Sequence, residues 1–277
     1  MRARAVSCFA VVVTIVAGTT VQAQTADLRY HITSPIELRY MSADTGATDM
    51  QGLPTGGITT STRMTATYSV SMSPLGDSVR VYVVTDTAAG TAEAMGRTQQ
   101  LGAEMMGPPA EFTIGAVGLS EQLVAMDSEM DLQNAMAGMG KAAATNLVLL
   151  LPSREVRMGE TWTDTLSQAG SMSGMEIEST SIIRGSWTGD TAVAGATYHV
   201  LSYTTDMGIT GSGTVQGMDV TQTMKGERTE TVLWDPARRI VVDRRHVSDM
   251  TTSMQMAGQF ITITINGGGS LLLADGG

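Results

Sequence analysis

Methionine is the residue type whose spacing in this sequence points most directly to chemistry. The chain has 21 methionines but only 3 Trp, 6 Tyr and 3 Phe. Several methionines recur at even spacing in strand-like segments, which places them on one face of a sheet. The candidate ligand-binding residues are Met64, Tyr68, Met72, Met218, Val220, Met224, Met250, Met254 and Met256. A soft, flexible lining of this kind suits an apolar ligand such as a lipid.

Two other interpretations of the methionines remain open. The side chains could fill an ordinary core, because methionine adapts to irregular gaps. Closely spaced pairs could instead supply thioether ligands to Cu(I). These pairs are Met136 and Met139, Met172 and Met175, and Met254 and Met256. The three histidines are too far apart in sequence to form a metal-ligand pair, so the sequence predicts neither a metal site nor a cofactor.

One short stretch, Asp44 to Ala47, resembles the active-site loop of aspartic proteases. In those enzymes two such aspartates share one proton and activate a water molecule. Only one copy is present here, so an ordinary polar turn is favoured and hydrolysis by Asp44 is a remote alternative. The sequence contains neither a G-x-S-x-G elbow nor a phosphate-binding loop. We therefore predict no catalytic residue.

Strands must position these side chains. Apolar and polar residues alternate from Ile58 to Met72, and the valine-rich Val79 to Thr85 follows a turn, which predicts a hairpin. The later predicted strands are Thr161–Leu166, Met175–Trp187, Thr197–Met207, Gly217–Met224, Arg228–Trp234, Ile240–Met250 and Gln259–Ile265. The connections between them are short, which indicates an antiparallel meander. Turns or loops are predicted at Thr188–Asp190, Lys225–Gly226 and Gly267–Gly269.

The middle of the chain has a different amino-acid composition. Ala88 to Met106 and Ser128 to Asn146 are rich in alanine and methionine, which predicts one or two helices within residues 88–150. The expected fold class is therefore mainly β (α+β). In this fold a curved antiparallel sheet or half-barrel carries the helices as an insertion.

The first 23 residues have the layout of a secretory signal peptide. Arg2 and Arg4 precede an apolar run, and cleavage is expected after Ala23. The rest, residues 24–277, would be a single β-rich domain without cysteine, because Cys8 lies in the signal. No stretch is long and apolar enough for a transmembrane helix. We expect an exported protein, periplasmic or extracellular.

Charge argues against a nucleic-acid partner. The chain has 17 basic and 27 acidic residues and a net charge of −10. Loss of the two signal-peptide arginines would take the net charge to −12. Phosphate binding needs a basic surface. The cluster of Arg238, Arg239, Arg244, Arg245 and His246 is expected at the wet ends of a strand, paired with neighbours such as Asp243 and Glu230.

The segment from Pro152 to Trp162 resembles a segment of known exported proteins. Pro152, Val156 and Gly159 to Trp162 form a Pro-x3-Val-x2-Gly-acid-Thr-Trp pattern that resembles one in uncharacterised exported bacterial β-rich proteins. The order of elements is similar to that of the half-barrels of periplasmic lipoprotein carriers, which implies a lipid-binding architecture. The leading hypothesis is an exported, non-enzymatic protein that binds an apolar ligand. The alternative is a structural or protein-interaction module with a solid core and a partner in the cell envelope.

Overall fold

The computed structural model describes residues 24–275 except 54–55, 103–107, 119–145, 173–174, 216 and 257. Every regular element in this part of the chain is a β-strand. The strands are β1 Thr25–Ala26, β2 Ile36–Gln51, β3 Ile58–Leu75, β4 Ser78–Ala94, β5 Arg97–Gly102, β6 Ala110–Ile114, β7 Val156–Arg157, β8 Thr161–Met172, β9 Met175–Val193, β10 Ala196–Val215, β11 Met218–Asp235, β12 Ile240–Met256 and β13 Gln259–Asp275. Most of the long strands alternate buried and exposed residues, as expected for a sheet with one wet face.

One large antiparallel sheet contains all the strands except the short pair β1 and β7. Its order is β5-β4-β3-β2-β13-β12-β11-β10-β9-β8, and β6 pairs with the part of β4 that β5 leaves free. Most neighbours in this sheet are joined by short hairpins. The exceptions are the pair β4 and β6 and the pair β2 and β13, and the second of these joins the first long strand to the last.

The predicted helical insertion is wrong wherever the structure describes it. The alanine-rich stretch that begins at Ala88 forms the end of β4 and the hairpin to β5. The helix preference of alanine is worth only a fraction of a kcal/mol per residue, and strand pairing overrides it. The second predicted helix, Ser128–Asn146, lies outside the described residues except for Asn146, which is in a turn. The described chain is therefore all β and not α+β.

No helix in the described ranges has the length and hydropathy needed to cross a membrane.

The three predicted glycine-containing turns lie inside strands. Thr188–Asp190 belongs to β9, Lys225–Gly226 to β11 and Gly267–Gly269 to β13. At Gly226 the reason for glycine is a close approach: a Cβ there would lie 2.5 Å from Met250 Cγ. Gly226 therefore gives room to a facing side chain, and none of the three stretches marks a chain reversal.

Two segments, residues 24–35 and 146–157, pack against one half of the sheet, and we call them the plug. The Tyr30 ring packs edge-on against Trp234, with ring centroids 5.1 Å apart. Its hydroxyl accepts a hydrogen bond from the Leu149 backbone N–H at 2.8 Å. Leu28, Leu149 and Val156 are almost fully buried. The plug therefore makes this half of the molecule a solid core.

The face of the sheet that contacts the plug is the inner face. One core cluster contains plug residues together with residues of β2, β3, β4, β6 and β8 to β13. Neighbouring strands are about 4.8 Å apart, so a flat sheet of this width could not bring all its strands to one plug. The sheet is therefore curved around the plug. Within the described ranges, the outer edges of β8 and of β5 and β6 have no further strand partner.

Candidate functional site on the inner face

All nine residues predicted from the methionine spacing lie on the inner face. Residues paired across neighbouring strands share a face, and Val220 of β11 pairs with Met256 of β12. The same register continues through β13 and β2 to β3. The nine residues are Met64, Tyr68 and Met72 on β3, Met218, Val220 and Met224 on β11, and Met250, Met254 and Met256 on β12.

The plug divides this set into two groups. Tyr68 and Met72 are 4% and 6% exposed and belong to the core cluster that contains the plug, while Met64 packs against the same cluster. For these three residues the environment is core packing. The other six lie beyond the plug, towards the hairpins that join β10 to β11 and β12 to β13.

The inner face beyond the plug is mainly apolar, and we call its apolar residues the methionine half. They are Met175, Ile177, Met207, Ile209, Met218, Val220, Met224, Met250, Met254, Met256, Ile261, Ile263 and Ile265, and the polar residues Ser179, Ser181, Gln222 and Thr252 lie among them. Met175, Ile177 and Val220 form a small cluster with Ile209, Met254 and Met256, and these described members all come from the sheet. Most of the remaining side chains are half-buried. The isoleucines of β13 alternate in the sequence and could have predicted their place on this surface. The prediction did not include them because it used the spacing of the methionines alone.

Between the plug and the methionine half lies a group of ionisable side chains that we call the polar belt: Asp44, Arg228, Glu230, Arg244 and His246. Glu230 accepts a hydrogen bond from Arg244 Nε, and its other carboxylate oxygen lies 2.8 Å from Arg228 Nε. The Glu230 side chain is 5% exposed. A carboxylate buried to this extent is stable only because two guanidinium groups compensate its charge.

The belt arginines also hold the plug. Arg228 Nη2 donates to Asn146 Oδ1 at 3.0 Å, and Arg244 Nη1 donates to the Asn146 carbonyl at 2.6 Å. The predicted pairing of this basic cluster with Glu230 is therefore found, but its predicted wet location is wrong for Arg244, which is buried. Arg245 does lie on the exposed face, paired with Asp243 at 3.1 Å.

Gly269 of β13 makes room for Asp44 in the belt. A Cβ at Gly269 would lie 2.0 Å from Asp44 Oδ1 and 2.8 Å from His246 Cε1, so the Asp44 carboxylate lies over the glycine and close to the imidazole. Asp44 itself is in the middle of β2, where it pairs with Met64 and Gly269. The predicted polar turn at Asp44–Ala47 is therefore wrong.

A small cavity adjoins the belt. Its volume is about 20 Å³, and its lining residues are Ser42, Asp44, Tyr68, Asn146, Arg244, His246, Ser270 and Leu271. The Tyr68 hydroxyl is 3.4 Å from Ser42 Oγ across it. A space of this size holds about one water molecule and no organic substrate.

Burial dominates the ionisation of Asp44 and His246. It raises the pKa of Asp44, against the opposing effects of the Ser42 hydrogen bond and the Arg228 charge. Burial, together with the charge of Arg228, lowers the pKa of His246 from 6.5 to about 4. At neutral pH the imidazole is therefore uncharged, and the two arginines supply the positive charge of the belt.

A pH-dependent stability follows for His246. Between pH 6.5 and 4 the unfolded chain takes up a proton at this histidine while the folded chain does not, so folded stability falls as pH falls. Because the ring is partly exposed, we expect a loss of about 1–2 kcal/mol. The raised pKa of Asp44 makes its own contribution to folded stability rise as pH falls. The effect of His246 is therefore measured as the difference between the wild type and His246→Gln. Urea unfolding at pH 6.5 and 4.5 should show the smaller loss in the variant, and equal losses would contradict the assignment.

Among the described residues, the belt provides no second free carboxylate for aspartic-protease chemistry. That mechanism needs two carboxylates sharing a proton, but the belt's other carboxylate, Glu230, is engaged by two arginines. A second histidine, His199, lies outside the belt and is held by Asp190. Its Nδ1 is 2.7 Å from Asp190 Oδ1, which also accepts a hydrogen bond from Trp187 Nε1 at 3.0 Å. In the described residues no group of three or more His, Cys, Asp or Glu could hold a metal ion.

Comparison with known proteins gives only distant likenesses. No protein family matches the sequence, and no curated protein does either. Neisserial surface protein A is 8% identical, with a TM-score of 0.23 over 85% of this chain and 96% of its own. OprB of Pseudomonas putida, in a low-pH structure, is 7% identical, with a TM-score of 0.21 over 86% of this chain and 93% of its own. The outer membrane protein Omp33 of Acinetobacter baumannii is 7% identical, with a TM-score of 0.15 over 86% of this chain and 99% of its own. TM-scores this low assign neither a fold family nor a function to this chain.

Proposed function

We propose that this chain is an exported, non-enzymatic protein that binds an apolar ligand such as a lipid on its methionine half. The observation that carries the proposal is the contrast between the two halves of the inner face. The plugged half is packed by the chain itself, whereas the described packing partners in the methionine half come only from the sheet. Its half-buried Met and Ile side chains form an apolar surface beside a solid core.

The energetics favour a ligand with a long apolar part. Covering roughly 300 Å² of apolar surface contributes about 7 kcal/mol before the costs of association. Methionine side chains are flexible and polarisable, so they can pack against chains of different shape. Export is supported by the signal-like first 23 residues, which lie outside the described residues.

A matched pair of variants on β12 tests the site. Met254 is half-buried on the inner face, and its neighbour Gln255 is exposed on the outer face. We expect Met254→Glu to weaken binding of a fluorescent long-chain probe by about 10-fold or more, because it puts a charge against the apolar ligand. Gln255→Glu should change the affinity by less than about 2-fold. Equal effects of the two variants would contradict a ligand site on the inner face.

Native mass spectrometry of the exported protein gives an independent test. After gentle purification we expect a co-purified adduct with the mass of an amphiphile, and its loss in Met254→Glu. Repeated purification of adduct-free protein that also takes up no apolar probe would overturn the proposal.

A second candidate function, a protein-interaction module, is favoured by one observation on the outer face. A groove of about 450 Å³ runs over β13, β2, β3 and β4, and Met41 and Leu272, which are 46% and 43% exposed, are among its lining residues. If this groove is the surface that binds the partner, apolar probes should bind there. Leu272→Glu, and not Met254→Glu, should then weaken the binding.

A further inference from the structure

Cleavage of the expected signal peptide would make Gln24 the first residue of the exported chain. The residues at the recognition positions, Val21 and Ala23, put the cut directly before it. An amino-terminal glutamine can undergo a reaction that an internal glutamine cannot. Its free α-amino group attacks its own side-chain carboxamide and forms a five-membered lactam, pyroglutamate. The surroundings of Gln24 in the fold therefore bear on the chemistry of the mature amino terminus.

Backbone contacts of the plug hold Gln24 in a fixed place. β1 begins at the next residue and pairs with β7, where Ala26 lies opposite the almost fully buried Val156. The Gln24 carbonyl accepts a hydrogen bond from the Met158 N–H at 3.1 Å. Gln24 itself is exposed. Its main chain is therefore anchored to the core, while its α-nitrogen lies at the surface of the molecule.

The side chain of Gln24 contacts a carboxylate that other side chains hold in place. Gln24 Nε2 donates a hydrogen bond to Asp190 Oδ2 at 3.1 Å. The other carboxylate oxygen, Oδ1, contacts His199 Nδ1 and Trp187 Nε1, as described above. Trp187 is fully buried, and its ring packs on the imidazole with centroids 4.5 Å apart. Two packed rings therefore fix Oδ1 of Asp190 and direct Oδ2 to Gln24.

Cyclisation requires one proton to move between two nitrogen atoms. The α-nitrogen forms a bond to Cδ of Gln24 and must lose a proton, whereas Nε2 must gain one before its bond to Cδ breaks and it leaves as ammonia. In the tetrahedral adduct both nitrogens are bonded to Cδ, so a carboxylate oxygen that touches Nε2 also lies close to the α-nitrogen. Asp190 Oδ2 can therefore accept the proton as a general base and return it as a general acid.

We propose that Gln24 of the exported chain cyclises to pyroglutamate with loss of ammonia, and that Asp190 transfers the proton between the two nitrogens. This inference goes beyond ligand binding and rests only on the export part of the proposed function. The reaction consumes no other reactant, because the atoms of the lactam and of the ammonia all come from Gln24. The modified amino terminus carries no positive charge and offers no free amine to an aminopeptidase.

The test starts from the full chain, which signal peptidase cleaves in vitro, and mass spectrometry with peptide mapping follows the amino-terminal peptide at neutral pH. We expect this peptide to lose one ammonia about 10-fold or more faster in the folded product than in the same product unfolded in urea. Asp190→Asn should slow the loss by about 10-fold or more. The matched control is Asp249→Asn, which removes a carboxylate from the exposed outer face of β12 and should leave the rate unchanged.

The comparison with urea keeps the proposal testable if Asp190→Asn does not fold, because it uses the wild-type chain alone. A product that keeps the mass given by its sequence, equal rates in the folded and unfolded wild type, or an unchanged rate in folded Asp190→Asn would overturn the proposal and leave the ligand site intact. Failure of signal peptidase to cut, or a cut at another bond, would overturn both this inference and the expected export signal. The ligand-binding test with Met254→Glu does not depend on either result.

Discussion

Glu230→Gln should lower the free energy of unfolding by about 3–5 kcal/mol at neutral pH, because it leaves the buried Arg244 and the half-buried Arg228 without their shared counter-charge. Those arginines also hold Asn146 of the plug, so the loss extends to the packing of the plug on the sheet. Urea unfolding followed by tryptophan fluorescence measures the change, since Trp234 contacts the plug.

The matched control for Glu230 is Glu227→Gln, which removes a carboxylate from the exposed face of the same strand. It should change stability by less than about 0.5 kcal/mol. Burial opposes ionisation of Glu230, but the charge and hydrogen bond of Arg244 hold its pKa below the ordinary value of 4.5. The stabilisation is therefore present above about pH 4.5 and is lost as pH falls through the lowered pKa. A Glu230→Gln effect below 1 kcal/mol at pH 7 would contradict the buried ion network.

Gly185→Ala should cost about 2–4 kcal/mol of stability, the second large effect, because the added methyl group collides with a buried tryptophan. A Cβ at Gly185 would lie 2.3 Å from Trp162 Cε2 and 2.4 Å from Cζ2. The ring is held in place by Tyr203, so it cannot move aside without losing that contact.

Gly189 on the same strand is the control for Gly185. A Cβ at Gly189 has no atom within 4 Å, so Gly189→Ala should be within about 0.5 kcal/mol of the wild type. Thermal unfolding of both variants measures the difference. Similar melting temperatures for Gly185→Ala and Gly189→Ala would mean that Trp162 does not lie over Gly185.

Alternation of side chains is the part of the fold that could be predicted from the sequence. The period of two from Met64 to Met72 correctly placed these residues on one face of β3, and the later hairpins follow the same pattern. Strand lengths were underestimated because glycines inside strands, such as Gly226 and Gly269, have the composition of turns. Their actual role is to accept a facing side chain, which depends on a partner strand far away in sequence.

The polar belt could not be predicted, because no local spacing connects its members. Asp44 meets His246 only because β2 pairs with β13, and β13 in turn pairs with β12. The sequence predicts Arg244 as an exposed strand residue, because nothing near it in sequence shows that the plug buries it. The helix prediction around Ala88 failed for a related reason: the intrinsic preference of alanine is small compared with the pairing energy of a long hairpin.

Photo-crosslinking with a diazirine-bearing long-chain lipid analogue tests the ligand site most directly, since peptide mapping identifies the residues that it labels. We expect saturable labelling of inner-face residues of the methionine half, such as Met224, Met254 and Ile263, and competition by the unmodified lipid. Labelling confined to outward-facing residues such as Phe260 and Leu272, or labelling that does not saturate, would contradict a ligand site on the inner face.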